Sequence, residues 1–356
     1  MMKENSFKSV SVIADNFLTM QDNCWNLSKR GSNILLYSLI DKIHKRYNIN
    51  FKVIQQGKSD ENFIYKDIEI IILKGENFND FKKNLKKIKF DSDIVHYNNI
   101  DFFTGREKRY LRTATIHTNA FLEKARAKNW LDKNILFFDK VVVVNNSYKE
   151  LFPDTQIIKN GIPLEVFDYK PKHSFTEPIK ILFPNIDSPK KNRNFAIDLI
   201  KRLNKKYGKI FKLILVGDKE DLGINGKLCE FVGIKNWGKE MNSLYKESFI
   251  TIIPSISESC SLCALESMSS GTVVFANDIE GIRDYIFDKE TGFLINVNNI
   301  DSWLKMIEEL LRDKVLYDKI QSRARCSVEE DFNIERMSEE YYLMWLKLFK
   351  MKNEEG

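Results

Sequence analysis

The sequence predicts an α/β protein built as two doubly wound, parallel-sheet domains. Three observations carry that expectation. Short apolar runs alternate with longer stretches of helical period along most of the 356 residues. The second half repeats the pattern of the first, which implies two parallel sheets, each covered on both faces. The alternation breaks once, in the polar stretch Asp168-Tyr-Lys-Pro-Lys-His-Ser-Phe-Thr-Glu-Pro178, which holds two prolines and has no period.

In the first half, strands are expected at residues 10–13, 51–54, 68–73, 94–95, 114–116 and 141–144. The clearest helix there covers residues 32–47, with Leu35, Leu36, Leu39, Ile40 and Ile43 on one face. The second half repeats the scheme, with strands at 179–183, 212–216, 230–232, 250–253 and 272–275. Its helices are expected at 194–204, 243–247, 262–269 and 301–312. A last periodic helix, 334–349, carries Tyr341, Tyr342, Trp345, Leu346 and Phe349. The expected organisation is a domain over 1–168, a second over 169–333, and a terminal helical segment, 334–356, that returns to the first domain.

Composition narrows the function classes. Hydrophobic residues make up 43% of the chain and charged residues 30%, a globular balance. No apolar run approaches the ~20 residues of a membrane span, and the first residues lack a signal-peptide core, so a cytoplasmic location is expected. Cys24, Cys229, Cys260, Cys263 and Cys326 are scattered and odd in number, unlike a disulfide framework. Cys260 and Cys263 form a lone Cys-x-x-Cys with no second pair or nearby histidine, so neither a zinc site nor a redox role is expected.

The charge is lopsided. Residues 1–170 hold 28 Lys and Arg against 21 Asp and Glu, a net of +7, and the remainder nets −1. Much of the excess lies in Phe81-Lys-Lys-Asn-Leu-Lys-Lys-Ile-Lys89 and in Arg106-Glu-Lys-Arg-Tyr-Leu-Arg112. If residues 81–89 are helical, Leu85 and Ile88 face inward and the lysines fan outward. Such a surface is either a solvated face or a contact for an anionic lipid surface or phosphate-bearing acceptor, which leaves open a peripheral position at the inner membrane face. No nucleic-acid-binding motif accompanies it.

The most informative stretch is Glu258-Ser-Cys-Ser-Leu-Cys-Ala-Leu-Glu266, with Thr251-Ile-Ile-Pro-Ser255 before it and Gly271-Thr-Val-Val after it. A strand ends, a polar loop carries Glu258, and a helix beginning near Ser261 carries Glu266. The start of such a helix, at the carboxyl edge of a parallel sheet, is an anion site. Two acids beside it suit a ligand with both phosphates and hydroxyls, such as a nucleotide sugar. Ser188-Pro-Lys-Lys-Asn-Arg-Asn-Phe195 opens another helix, and its cations reinforce a phosphate site.

On these motifs the chain resembles a GT-B glycosyltransferase of the retaining family 4 type, the glycosyl transferases group 1. The family pattern E-G-F-G-x-x-x-x-E, followed by a helix and G-x-P-V-V, matches residues 258–274 in spacing. The resemblance implies two Rossmann-like domains facing a cleft, and transfer from a nucleotide-diphosphate sugar without a bound metal. It implies that Glu266 meets the ribose hydroxyls, and that Glu258 sits beside the donor sugar or its departing phosphate. The amides of Cys260, Ser261 and Leu262 would meet the diphosphate together with Lys191. The family's Arg position falls on Ile186, a departure for which Lys190 or Arg193 would compensate. Its two loop glycines are Ser259 and Ser261 here. Val232 and Gly233 would hold the base through backbone groups, and Gly31 would let the chain approach the diphosphate, with Ser32 as a helix N-cap. Thr115-Ile-His117-Thr118 matches a T-x-H segment, which implies that His117 reaches the donor sugar. His96 is a second strand-end histidine, with an acceptor-side role. Asn160-Gly-Ile162 and Phe167 match a signature near the end of the first domain. Glu280-Gly281-Ile-Arg-Asp284 matches a loop that approaches the donor sugar. Asp91-Ser-Asp93 reads as a turn, not as a metal motif. The expected partners are a nucleotide sugar and a glycan or lipid-linked acceptor, in surface polysaccharide or glycoconjugate synthesis. A GT-B epimerase or phosphorylase, or a non-catalytic nucleotide-sugar-binding subunit, stays open as an alternative.

Overall fold

A computed structural model of the chain describes residues 6–21, 24–27, 31–104, 110–117, 133–172, 174–184, 188–217 and 226–354. Ile186, Thr118 and most of the 106–112 basic segment lie outside them. The chain divides into two compact units, residues 1–159 with 334–356, and residues 160–333.

In the first unit the strands are β1 (Ser9–Ile13), β2 (Leu18–Gln21), β3 (Cys24–Leu27), β4 (Asn50–Gly57), β5 (Glu61–Tyr65), β6 (Ile68–Lys74), β7 (Ile94–Tyr97), β8 (Leu111–Ile116), β9 (Lys140–Val143) and β10 (Gln156–Ile157). Eight of them form one sheet in the order β10-β9-β8-β7-β1-β4-β6-β5. All neighbours are parallel except β5, which runs antiparallel to β6 at the edge. β2 and β3 form a separate hairpin. Val10, Val12, Ile94, Val95 and Ala114 are wholly buried, so the central strands read as apolar runs because helices cover both faces.

The C-terminal helix Ile334–Glu354 belongs to this unit. Its aromatic residues are placed for specific partners. The Tyr342 ring stacks on Tyr47 at 3.6 Å, Tyr341 and Thr115 hydroxyls meet at 2.8 Å, and Trp345 donates to Thr113 at 3.1 Å. Lys42 pairs with Glu335 at 2.6 Å.

The second unit holds β11 (Ile179–Phe183), β12 (Phe211–Leu215), β13 (Cys229–Phe231), β14 (Ile250–Ile253), β15 (Val273–Ala276) and β16 (Phe293–Leu294). They form one parallel sheet in the order β13-β12-β11-β14-β15-β16. Counted within the unit this is 3-2-1-4-5-6, the Rossmann order, whose ligand crevice opens where β11 and β14 diverge.

Several expectations differ in detail. Residues 160–168 pack with the second unit, because Phe167 is wholly buried there against Trp237 and Tyr245 and Ile162 bonds to Phe332. The lysine-rich helix covers Phe78–Leu85 and stops before Lys87 and Lys89. Phe81 and Leu85 are its buried face. The helix Gly31–Tyr47 begins at Gly31, so Ser32 lies inside its first turn and is not its cap. Asp93 is structural: its carboxylate accepts from the Lys8 and Ser9 amides at 2.7 and 3.0 Å. Asp91 pairs with Lys52.

Candidate functional site

The site of the second unit is built at the divergence of β11 and β14. After β11, the chain turns through Pro189–Lys191, capped by the Ser188 hydroxyl on the Lys190 amide. Asn192 takes a left-handed φ of 59°, and the helix Arg193–Tyr207 begins. After β14, residues 254–261 run to the helix Leu262–Ser269. Two bonds tie these loops together. The Ile256 amide donates to the Lys190 carbonyl at 2.8 Å, and Lys191 Nζ donates to Glu258 Oε1 at 2.6 Å. The pair is partly shielded, with the Lys191 side chain 24% exposed and Glu258 9%. Burial pulls the Lys191 ammonium pKa down, but the Glu258 carboxylate and neighbouring thiols raise it above its ordinary value overall.

A pocket at this point is lined by Phe183, Pro184, Lys191, Ile253, Ser255 and Ser261. Ser261 is the N-cap of its helix, yet its side chain makes no capping bond. The Leu262 and Cys263 N–H groups therefore face this loop, and the first internal bond is that from the Ala264 N–H to the Ser261 carbonyl at 3.0 Å. Lys190 is exposed, and Arg193 is half-buried in the first turn of its own helix.

Glu266 lies one turn further along the helix Leu262–Ser269 and is 3% exposed. The Trp237 indole N–H donates to Oε1 at 2.7 Å, and the Tyr245 hydroxyl donates to Oε2 at 2.7 Å. Desolvation raises the Glu266 pKa, against the lowering effect of those two donors. Neither Trp237 nor Tyr245 was singled out from sequence. The available signal was a lone tryptophan in the polar run Gly233-Ile-Lys-Asn-Trp-Gly-Lys-Glu240.

At the end of β13, the Val232 N–H bonds to Leu215, and the Gly233 carbonyl accepts from Gly217. Any backbone contact with a base thus falls to the Val232 carbonyl and the Gly233 N–H. Gly233 has a φ of 71°. Burial pushes both the Cys260 and Cys263 thiols up to about 12, and both are free cysteines. They are protonated at neutral pH and are not nucleophiles.

In the first unit, His117 follows β8 at the carboxyl edge of the sheet. Its Nε2 is 3.3 Å from Asn98 Oδ1, so that nitrogen carries the proton. Desolvation lowers its pKa, and the half-buried ring is neutral at pH 7. His96 does not serve an acceptor. It is buried, with Nδ1 2.9 Å from Thr113 Oγ1 and Nε2 3.3 Å from Thr115 Oγ1. Tyr341 and Trp345 pack edge-on against its ring. It is a core histidine that links the sheet to the C-terminal helix. Gly31 opens the helix after the β2–β3 hairpin.

Residues 166–327 match the family model of glycosyl transferases group 1. The second unit is therefore similar to a glycosyl transferases group 1 domain, and the solved structures that follow give the fold as GT-B. Over 208 residues the chain is 27% identical to the UDP-Gal:alpha-D-GlcNAc-diphosphoundecaprenol alpha-1,3-galactosyltransferase of Escherichia coli, covering 52% of this chain and 53% of that protein. It is 26% identical over 223 residues to the N-acetyl-alpha-D-glucosaminyl L-malate synthase of Bacillus anthracis, with 58% of each covered. The chain thus spans about half the length of the curated relatives it matches. Sucrose-phosphate synthase from Thermosynechococcus elongatus superposes with a TM-score of 0.77 over 97% of this chain and 100% of that one, at 16% identity. HepE of Anabaena, solved in complex with UDP-glucose, gives a TM-score of 0.73 over 95% and 99%, at 14% identity.

Proposed function

We propose that this protein is a retaining glycosyltransferase. It moves a sugar from a nucleotide-diphosphate sugar to a glycan or lipid-linked acceptor. The Lys191–Glu258 pair at the sheet's divergence point is the observation that carries the reading. It supports the reading because a half-shielded cation and a carboxylate, the groups a departing phosphate and a donor sugar would use, meet there. The diphosphate takes its countercharge from Lys191, the Leu262 helix start and the loop amides of Cys260 and Ser261, so no metal is assigned. Lys190 and Arg193 add positive potential at the rim. As the bond from the anomeric carbon to the phosphate oxygen breaks, Lys191 stabilises the charge on the leaving phosphate. The acceptor hydroxyl attacks from the same face, and its proton passes to that phosphate. Glu258 sits at the donor sugar, Glu266 at the ribose, and Val232 and Gly233 at the base. Release of free nucleoside diphosphate from a panel of nucleotide sugars tests the reading. Release only with an acceptor present, with the anomeric configuration kept, supports transfer. Tight nucleotide binding without turnover would make the chain a binding subunit instead.

In this scheme the neutral His117 ring, whose one proton is on Nε2 toward Asn98, accepts a hydrogen bond from a substrate hydroxyl at Nδ1. His117→Ala is expected to lower kcat about tenfold, the loss of one hydrogen bond made in the transition state, with nucleotide affinity unchanged by calorimetry. Because desolvation lowers its pKa, the rate should show no acid limb centred near 6.5. A wild-type rate in the variant would leave His117 a structural strand-end residue.

Lys83, Lys86, Lys87 and Lys89 are exposed on and after the helix Phe78–Leu85. No helix of the described residues is long and apolar enough to cross a membrane. The lysines supply a peripheral contact with anionic lipid, each contributing about 1 kcal/mol at low salt. Vesicle sedimentation should show binding that needs anionic lipid and fades with salt. Equal partitioning onto neutral vesicles would reduce the lysines to a solvated face.

A further inference from the structure

Among the described residues, the Glu266 carboxylate takes one side-chain donor on each oxygen, Trp237 on Oε1 and Tyr245 on Oε2. A carboxylate accepts about four hydrogen bonds, so each oxygen keeps capacity for one more donor. The remaining capacity is divided evenly between the oxygens, as two neighbouring hydroxyls of one ring require. The donors are themselves held. The Tyr245 ring is wholly buried, and the Tyr245 carbonyl accepts from Lys172 Nζ at 2.8 Å and from the Thr272 hydroxyl. The Trp237 ring packs edge-on against Phe167, with centroids 5.0 Å apart. Trp237 also lies four residues beyond Gly233, on the segment that leaves the proposed base-binding strand end.

We propose that Trp237 and Tyr245 are positioning residues that fix Glu266 as a two-point acceptor for the vicinal ribose hydroxyls. They thereby make the site selective for ribonucleotides over 2′-deoxyribonucleotides. The inference rests on the reading of Glu266 as the ribose contact. With the carboxylate fixed, loss of the 2′-hydroxyl leaves one buried oxygen short of a donor, which a site built for hydrogen bonding discriminates strongly. With either donor removed, the carboxylate can rotate, and the second hydroxyl adds less.

The test titrates UDP, GDP and ADP by calorimetry, then compares the tightest binder with its 2′-deoxy counterpart. Wild type should favour the ribonucleotide at least tenfold. Tyr245→Phe and Trp237→Phe, which keep an aromatic ring, should each cut that ratio to about threefold or less, mainly by weakening the ribonucleotide. Affinity for the 2′-deoxy compound should stay within about twofold, a pattern that general loosening of the fold does not give. Glu266→Gln separates the two levels of the argument. If Glu266→Gln removes the preference while both aromatic variants keep it, the positioning role fails and the ribose reading survives. If Glu266→Gln keeps the preference, or no ribonucleotide binds, the reading of Glu266 fails and the inference with it.

Discussion

Gly281→Ala is expected to lower turnover about a hundredfold while the protein stays folded. Gly281 lies in the short helix Glu280–Arg283, beyond the strand that neighbours β14. A Cβ at this position would stand 1.8 Å from the Glu258 carbonyl oxygen, 2.6 Å from its carbon and 3.1 Å from Ser259 Cα. These are backbone atoms, so no side chain can swing away to make room, and the loop itself must move. Glu258 is held on its other side by Lys191 at 2.6 Å, so the shift separates the pair or drags both groups. A displacement near 1 Å in a reacting site costs on the order of a hundredfold in rate. The packing strain should cost about 1–3 kcal/mol of stability. Steady-state kinetics and thermal denaturation read the two effects separately. Activity within threefold of wild type would show that the position of Glu258 does not govern the chemistry.

The fold was largely legible because its strands are buried on both faces. Val273, Val274, Phe275 and Ala276 are all fully buried, and a solid apolar run records that directly. The β2–β3 hairpin was not read, since β3 alternates between exposed and half-buried residues over only four positions. The helix Lys314–Asp331 was also missed, although its buried apolar residues Tyr317, Ile320, Ala324 and Val328 stand at helical spacing. Charged neighbours and the exposed Val315 dilute that stripe. In the site, the order of Glu258 and Glu266 along one strand, loop and helix could be read locally. The meeting of Lys191 with Glu258, 67 residues apart, could not. It depends on β11 lying beside β14, a property of strand order that no local pattern encodes. His96 misled for the same reason: a strand-end histidine looks alike in sequence whether it faces solvent or a returning helix.

Lys191→Ala should weaken binding of the nucleoside diphosphate about ten- to a hundredfold, the loss of a charge-assisted contact. Affinity for the matching nucleoside should hardly change, since the cation acts on the phosphates alone. The same substitution should also destabilise the free protein, because it removes the Lys191 ammonium from a Glu258 side chain that is 9% exposed. A fully buried broken pair costs about 3–5 kcal/mol, and this half-shielded one should cost about 1–3 kcal/mol. The pH dependence follows from the raised Lys191 pKa. A lysine whose folded pKa lies above its unfolded value contributes stability that is fully present below the unfolded value and is lost as pH rises through the folded one. The stability gap between wild type and variant should therefore be flat through neutral pH and close only above the ordinary lysine range. Adding Glu258→Gln to Lys191→Ala removes the carboxylate charge that Lys191 faced, so the double variant should regain stability without regaining diphosphate affinity. Recovery of both would show that Lys191 serves only to neutralise Glu258. Equal losses for nucleoside and nucleoside diphosphate in the single variant would remove Lys191 from the phosphate site.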